Sequence, residues 1–209
     1  MSTKRFTPEN IKELKPTEIF VFGSNIQGEH VGGAALFAKN NFKAIDGYGF
    51  GLQGNAYAIP TCVRLWNGTK RVTKPFDNVN QIKPFVDAFI SDANRFKGAT
   101  FYVTKIGCGI AGFEVSEVAE LFRPCLEMDN VVLPREFVEW LLYPMVIKGL
   151  AERGLNNVDA DEAMEFVMAW IDDEDDFTLD ELLDDYKLKV NGVPCVAYVS
   201  TVRRAYKMD

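Results

Sequence analysis

Ile19-Phe20-Val21-Phe22-Gly23-Ser24-Asn25, then Gly28-Glu29-His30-Val31-Gly32-Gly33, then Ala34-Ala35-Leu36-Phe37-Ala38-Lys39 is the stretch on which the fold turns. Four consecutive apolar residues stopped by Gly-Ser-Asn read as a buried strand. The glycines that follow make a loop, and the run of small and apolar residues after them suits a tightly packed helix start. Strand, loop and helix in that order are the repeating unit of an α/β sheet.

Working outward, the same grammar recurs. Gly47-Tyr48-Gly49-Phe50-Gly51-Leu52-Gln53-Gly54 is a second glycine-rich segment, and it leads into Ala56-Tyr57-Ala58-Ile59-Pro60, a strand expected to end at its proline. A polar stretch continues to about Asn80. From Gln81 to Phe96, Ile82, Phe85, Phe89, Ile90, Ala93 and Phe96 recur at helical spacing, which predicts an amphipathic helix with one face on the sheet. Thr100 to Ile106 reads as a strand, Gly107 to Phe113 as a loop and Val115 to Phe122 as a short helix. Ser116 and Glu117 favour the start of that helix and Pro124 follows it. Asn130-Val131-Val132-Leu133 supplies a last strand, and Pro8 to Leu14 a short entry helix. The expectation is an α/β domain over residues 1–133, a three-layer α/β/α arrangement with a mixed sheet covered on both faces.

Beyond Pro134 the character changes to a mainly helical extension, residues 134–209. One helical run passes Trp140 and Leu141, is interrupted at Pro144 and ends near Gly154; a second covers roughly Asp161 to Ile171. Thr178-x-x-Glu181 has the capping-box pattern for a helix to Tyr186, and Asn191-Gly192 signals a closing hairpin with Pro194 on an edge strand. Phe166, Trp140 and Trp170 are expected to be core residues that pack this extension on the sheet, ahead of a partner-binding surface.

The charge is divided along the same line. Residues 1–133 hold 15 Lys/Arg against 13 Asp/Glu, and residues 134–209 hold 8 against 17, so a domain of +2 is joined to an extension of −9. Generic nucleic-acid binding is disfavoured, because the only basic group is a local one, Arg64, Lys70, Arg71 and Lys74. Attachment to a membrane surface is disfavoured for the same reason. The polar residues after Met1-Ser2-Thr3-Lys4-Arg5-Phe6 match neither a secretory signal nor a spanning helix, so a cytoplasmic location is expected. Cys62, Cys108, Cys125 and Cys195 form no C-x-x-C pair and read as free thiols. With one histidine and no ligand-spaced cluster, neither a metal nor another cofactor is expected. The run Asp172 to Asp176 lacks the glycine and spacing of a calcium loop and reads as a solvated connection.

The chemistry should lie at two strand-to-loop junctions, Gly23-Ser24-Asn25 and Gly107 to Gly112, because open α/β sheets bind ligands outside the carboxyl ends of their strands. Glycines there let backbone N–H groups approach phosphate oxygens, and a following helix adds its positive end. Tight turning alone also accounts for any one of these loops; two in one domain favour a ligand. Gly107-Cys108-Gly109-Ile110-Ala111-Gly112 formally satisfies the dinucleotide fingerprint G-x-G-x-x-G. Its supporting acids, Glu127 and Asp129, fall before the next strand and not at its end, which ranks a Rossmann dehydrogenase below the alternative. His30 is the candidate general base, although a lone histidine in a polar loop is commonly a surface residue. Gln53 and Asn55 have the amides to read a ribose or base edge, or simply to close their own turn. Cys108 near a helix start is either an activated nucleophile or a small filler beneath the loop, and the filler reading is favoured.

The order of these motifs, Ile19 to Asn25, Gly32-Gly33-Ala34-Ala35, a strand ending at Pro60 and Gly107-Cys108-Gly109-Ile110-Ala111-Gly112-Phe113, resembles the macro domain. With Phe22 to Thr61 and Gly51-Leu52-Gln53-Gly54-Asn55 it resembles most closely an uncharacterised bacterial and phage group of macro-like proteins. The similarity covers roughly residues 7 to 133. It implies binding of ADP-ribose and, as in part of that family, hydrolysis of an ADP-ribosyl linkage. It also implies that Asn25 touches the distal ribose, that Gly32, Gly33 and Ala34 lie beside that ribose and the diphosphate, and that residues 107–113 cradle the phosphates with Phe113 near the distal ribose. The sequence departs from the pattern in two places: no aspartate on an earlier strand is available for adenine, and Glu29 and His30 are the only ionisable residues between Gly28 and Ala35. Two other functions compete: a non-catalytic reader or sponge of a nucleotide signal, and an interaction module whose acidic extension contacts a protein partner.

Overall fold

The computed structural model describes residues 6–172 and 178–191. Their elements are β1 (Glu18–Asn25), α1 (Gly33–Phe42), β2 (Gly51–Gln53), β3 (Ala56–Trp66), β4 (Arg71–Pro75), α2 (Lys83–Arg95), β5 (Thr100–Val103), α3 (Val115–Leu121), β6 (Val131–Val132), α4 (Arg135–Glu152), α5 (Ala160–Asp172) and α6 (Leu179–Val190), with 3-10 turns at Val79–Gln81 and Arg123–Glu127. The six strands form one mixed sheet in the order β2-β3-β1-β5-β6, with β4 paired to β3. Strands β3, β1, β5 and β6 run parallel, whereas β2 and β4 are antiparallel to β3.

The reason β1 sits centrally is visible in its alternation. Ile19 and Val21 point into one apolar cluster with Tyr57, Ile59, Phe89, Phe101, Val118 and Phe122. Phe20 and Phe22 point into the other, with Ala35, Ala38, Phe42, Ala56 and Ala58. Successive strand residues face opposite sides, so both faces of β1 are covered, by α2 and α3 on one side and α1 on the other. The small residues of α1 let it lie close; Phe20 meets Phe42 with ring centroids 5.1 Å apart. A fully buried Phe or Ile contributes roughly 1.5–3 kcal/mol relative to its exposed state, which is why such a continuous apolar run is committed to this position. Tyr57 keeps its hydroxyl satisfied by donating to Asp92 Oδ2 at 2.8 Å.

The chain divides into two compact units within α4, after Leu141. In the second unit, Arg153 reaches Asp180 at 3.1 Å and Asp184 at 2.7 Å. The capping box opens α6: the Thr178 N–H donates to Glu181 Oε2 at 2.8 Å, and the Glu181 N–H returns a bond to Thr178 Oγ1 at 3.3 Å.

Several expectations are corrected. Pro8 to Leu14 is not helical; Thr7 N–H donates to Leu133 O at 2.9 Å and its hydroxyl to Val132 O at 2.8 Å, and Ile11 is buried, so tertiary bonds hold this segment open. Strand β3 does not stop at Pro60 but continues to Trp66, and the supposed polar stretch contains β4. Helix α4 runs through Pro144 without a break. A proline there costs about 3 kcal/mol; the apolar residues of the same helix, Phe137, Leu141, Val146 and Leu150, are all buried. Trp140 is not core but 46% exposed, with its indole N–H donating to Glu120 at 3.1 Å. The expected hairpin lacks its first strand, because α6 continues to Val190 with Asn191 at its C-cap; Gly192, the edge proline Pro194, Cys195 and most of the acidic run lie outside the described residues. No helix among the described residues is long and apolar enough to cross a membrane.

Candidate functional site

Parallel β1 and β5 are neighbours; β5 ends at Val103, paired with Val21, while β1 continues to Asn25, and the chain leaving each one turns over the carboxyl end of the sheet. Between these turns lies a cavity of about 400 Å³, lined by Gly23, Ser24, Asn25, Gly32, Gly33 and Ala34 from the first junction and by Gly107, Gly109, Ile110 and Ala111 from the second. The two predicted loops are therefore brought together. Ile110 Cδ1 reaches to 3.8 Å from where a Cβ on Gly33 would stand, so the loops nearly touch across the cavity mouth.

Helix α1 opens into this space without a cap. Gly32 occupies the N-cap position, no side chain bonds to the first turn and no acidic residue lies in it. The initial N–H groups of a helix have no partner within it, so those of Gly33, Ala34 and Ala35 are available with the positive end of the helix dipole. Opposite them, the backbone N–H groups of Gly109, Ile110 and Ala111 donate to no protein acceptor among the described residues. The loop is held by other bonds, from Cys108 N–H to Lys105 O at 3.3 Å and from Phe113 N–H to Gly107 O at 3.0 Å. Both sets of unpartnered donors belong to residues that line one cavity, an arrangement suited to an anion with several oxygens. By contrast, the start of α3, where a Rossmann pyrophosphate would sit, already has Glu117 Oε2 accepting from Glu114 N–H at 3.2 Å.

The β1 end is rigid for reasons of close packing. Ser24 donates its hydroxyl to Gly49 O, and a Cβ on Gly49 would stand 2.2 Å from Asn25 O and 2.5 Å from Ile26 O. Gly28 has φ +67 and would place a Cβ 2.3 Å from Tyr48 N, a contact no side chain tolerates. Asn25 closes its own turn: its Nδ2 donates to Glu29 O at 2.9 Å, and its Oδ1 accepts from Glu29 N–H at 3.1 Å. One further amide N–H and one carbonyl lone pair remain for a ligand.

Several predicted residues lie elsewhere. His30 is 1% exposed and does not line the cavity; its ring stands edge-on to Phe22 at 5.3 Å, with Gln53 and the Ile45 backbone beside it but no hydrogen bond of ordinary geometry to either ring nitrogen. Burial lowers its pKa, against the pull of Asp46. Gln53 staples the turn before it, accepting from Ile45 N–H at 2.6 Å and donating to Tyr48 O at 3.0 Å. Asn55 ties the start of β3 to the approach of β1 through Pro16 O at 3.2 Å and Glu18 O at 3.1 Å. Gln53 therefore closes its turn, whereas the Asn55 amide makes a tertiary tie between strands. Cys108 and Phe113 pack on the apolar core, and burial pushes the Cys108 thiol up to about 11, as a filler would have it. Gly112 turns the loop behind the cavity lining.

The sequence reading missed the wall formed by β3 and β4. Arg64 and Thr73, paired across that hairpin, line the cavity together with Glu29, Thr61 and Cys62. Arg64 Nε meets Glu29 Oε2 at 3.2 Å, its Nη1 donates to Thr73 Oγ1 at 2.9 Å, and Arg71 pairs with the other Glu29 oxygen. The signal was present in the alternation Cys62-x-Arg64-x-Trp66, which the proline before it obscured. Lys105 also lines the cavity, with its ammonium on Glu136 at 2.7 Å; that carboxylate raises the lysine pKa. Burial raises the pKa of the Cys62 thiol, which keeps it protonated and non-nucleophilic near neutrality. No group of three or more His, Cys, Asp or Glu residues placed to hold a metal occurs among the described residues.

Comparison with protein-family models, with curated proteins and with solved structures returned no match.

Proposed function

We propose that the cavity between β1 and β5 is a nucleotide-diphosphate site of macro-domain type that takes ADP-ribose or a related derivative. The observation that carries this is the pairing of unpartnered N–H groups at the start of α1 with those of Gly109, Ile110 and Ala111 across one cavity. A diphosphate has oxygens enough to engage both sets, and the remaining amide valences of Asn25 suit a ribose hydroxyl. The resemblance of the motif order to macro domains agrees with this geometry.

Sequestration is favoured over hydrolysis. His30 stands outside the cavity, and Glu29, the carboxylate inside it, is held by Arg64 and Arg71, so neither is free to take a proton from water.

The test is calorimetric titration with ADP-ribose of the intact protein and of Gly109→Glu. A Cβ at Gly109 meets nothing within 4 Å, so the backbone there accepts a side chain, and the substitution adds a negative charge at the anion site. Micromolar binding abolished in Gly109→Glu, with an unchanged melting temperature, is the expected result. No binding by the intact protein overturns the assignment, and release of product from an ADP-ribosyl ester overturns the preference for sequestration.

A further inference from the structure

The β3–β4 hairpin extends past the cavity. Arg64 pairs with Thr73 and Trp66 with Arg71. Alternate strand residues share a face, and this face is the one turned to the cavity, because Cys62, Arg64 and Thr73 line it and Arg71 meets Glu29. Trp66 therefore stands on the same side, about 7 Å further along the strand than Arg64. It is 67% exposed and makes no ring contact among the described residues. Asn67 Oδ1 holds the tip by accepting from the N–H groups of Thr69 at 3.1 Å and Lys70 at 2.9 Å. The ammonium of Lys70 has no ion-pair partner among the described residues.

One exposed tryptophan is unremarkable by itself. Here it continues a path that begins at an anion site, passes two guanidinium groups and leads to the hairpin tip, where Lys70 precedes Arg71 in the turn. We propose that this ribbon face receives single-stranded nucleic acid, with a terminal sugar-phosphate group directed to the cavity, the neighbouring base stacked on Trp66, and Lys70 and Arg71 along the phosphates. The inference rests on the cavity being a nucleotide site. An acidic peptide would satisfy the cations but has no flat group for the indole, whereas each base does. The net charge of −7 opposes long-range attraction, so the contact is local and salt-sensitive. With two phosphates neutralised, affinity falls roughly sevenfold between 50 and 200 mM salt.

The experiment titrates the full chain with a single-stranded thymidine octanucleotide, its duplex and a Glu-rich octapeptide, reading tryptophan fluorescence and anisotropy of end-labelled probes, alongside ADP-ribose calorimetry. Preference for the single strand is expected, with about tenfold weaker binding in Trp66→Ala and weaker binding in Lys70→Glu, while both variants keep their melting temperature and ADP-ribose affinity. Absence of strand binding beside normal ADP-ribose binding, equal affinity in Trp66→Ala, or equal affinity for the peptide or the duplex overturns the proposal. Strand binding without ADP-ribose binding instead counts against the cavity assignment and leaves the ribbon contact supported.

Discussion

At the scale of single residues, the site depends on positions where no side chain fits. Gly49 lies against Asn25 O and Ile26 O, and the atoms it would strike are backbone, so the neighbours cannot swing aside. Gly49→Ala is expected to cost roughly 1–3 kcal/mol through overpacking, seen as a melting temperature lower by several degrees, together with weakened ADP-ribose binding because Ser24 and Asn25 are displaced. His30 makes a second case. Burial depresses its folded pKa, so the unfolded chain binds the proton more readily. The stability this imidazole permits is complete above its unfolded pKa of about 6.5 and is lost as pH falls through the folded value. The chain has one histidine, which makes the origin assignable. His30→Phe, which keeps an aromatic ring beside Phe22, is expected to flatten the decline in melting temperature between pH 7 and pH 5; an unchanged decline would assign it to other groups.

At the scale of elements, the parts with an unambiguous period were legible. The runs at β1, α2 and β5, the capping box of α6 and the two glycine loops follow from residue pattern alone. The misses have specific causes. Pro60 looked like a strand end, yet it sits mid-strand in β3 where its missing N–H is tolerated, and that concealed the hairpin supplying Arg64 and Thr73. The amides of Gln53 and Asn55 read as ligand or turn residues; Gln53 closes its turn, but Asn55 ties β3 to the approach of β1, a partner distant in sequence that the local pattern does not reveal. His30 looked polar by its neighbours, and its burial against Phe22 is a tertiary fact. In α6, Asp185 is buried at 7% exposure with Oδ1 unbonded, and burial raises its pKa ahead of the effects of Asp184 and Glu181. For an acid with a raised folded pKa, stability is greatest in the protonated form and is lost as pH rises through that value. Asp185→Asn is therefore expected to raise the melting temperature at pH 7 by a few degrees, with the gain shrinking toward pH 4; equal stability of the two proteins at pH 7 would show that Asp185 carries no such penalty.

At the scale of the whole molecule, the cavity is a product of topology. Its two donor sets come from residues 33–35 and 109–111, far apart in the chain, and they meet because β1 pairs in parallel with β5 on one side and with β3 on the other. Loop closure over such a separation is entropically expensive and slow compared with local hairpin or helix formation. During synthesis, a chain extended only to α2 already carries the open end of α1 with nothing opposite it. The proposed nucleotide site is thus completed in one step, when the β1–β5 ladder closes, and on that proposal a partly folded chain is expected to draw nothing from the ligand pool.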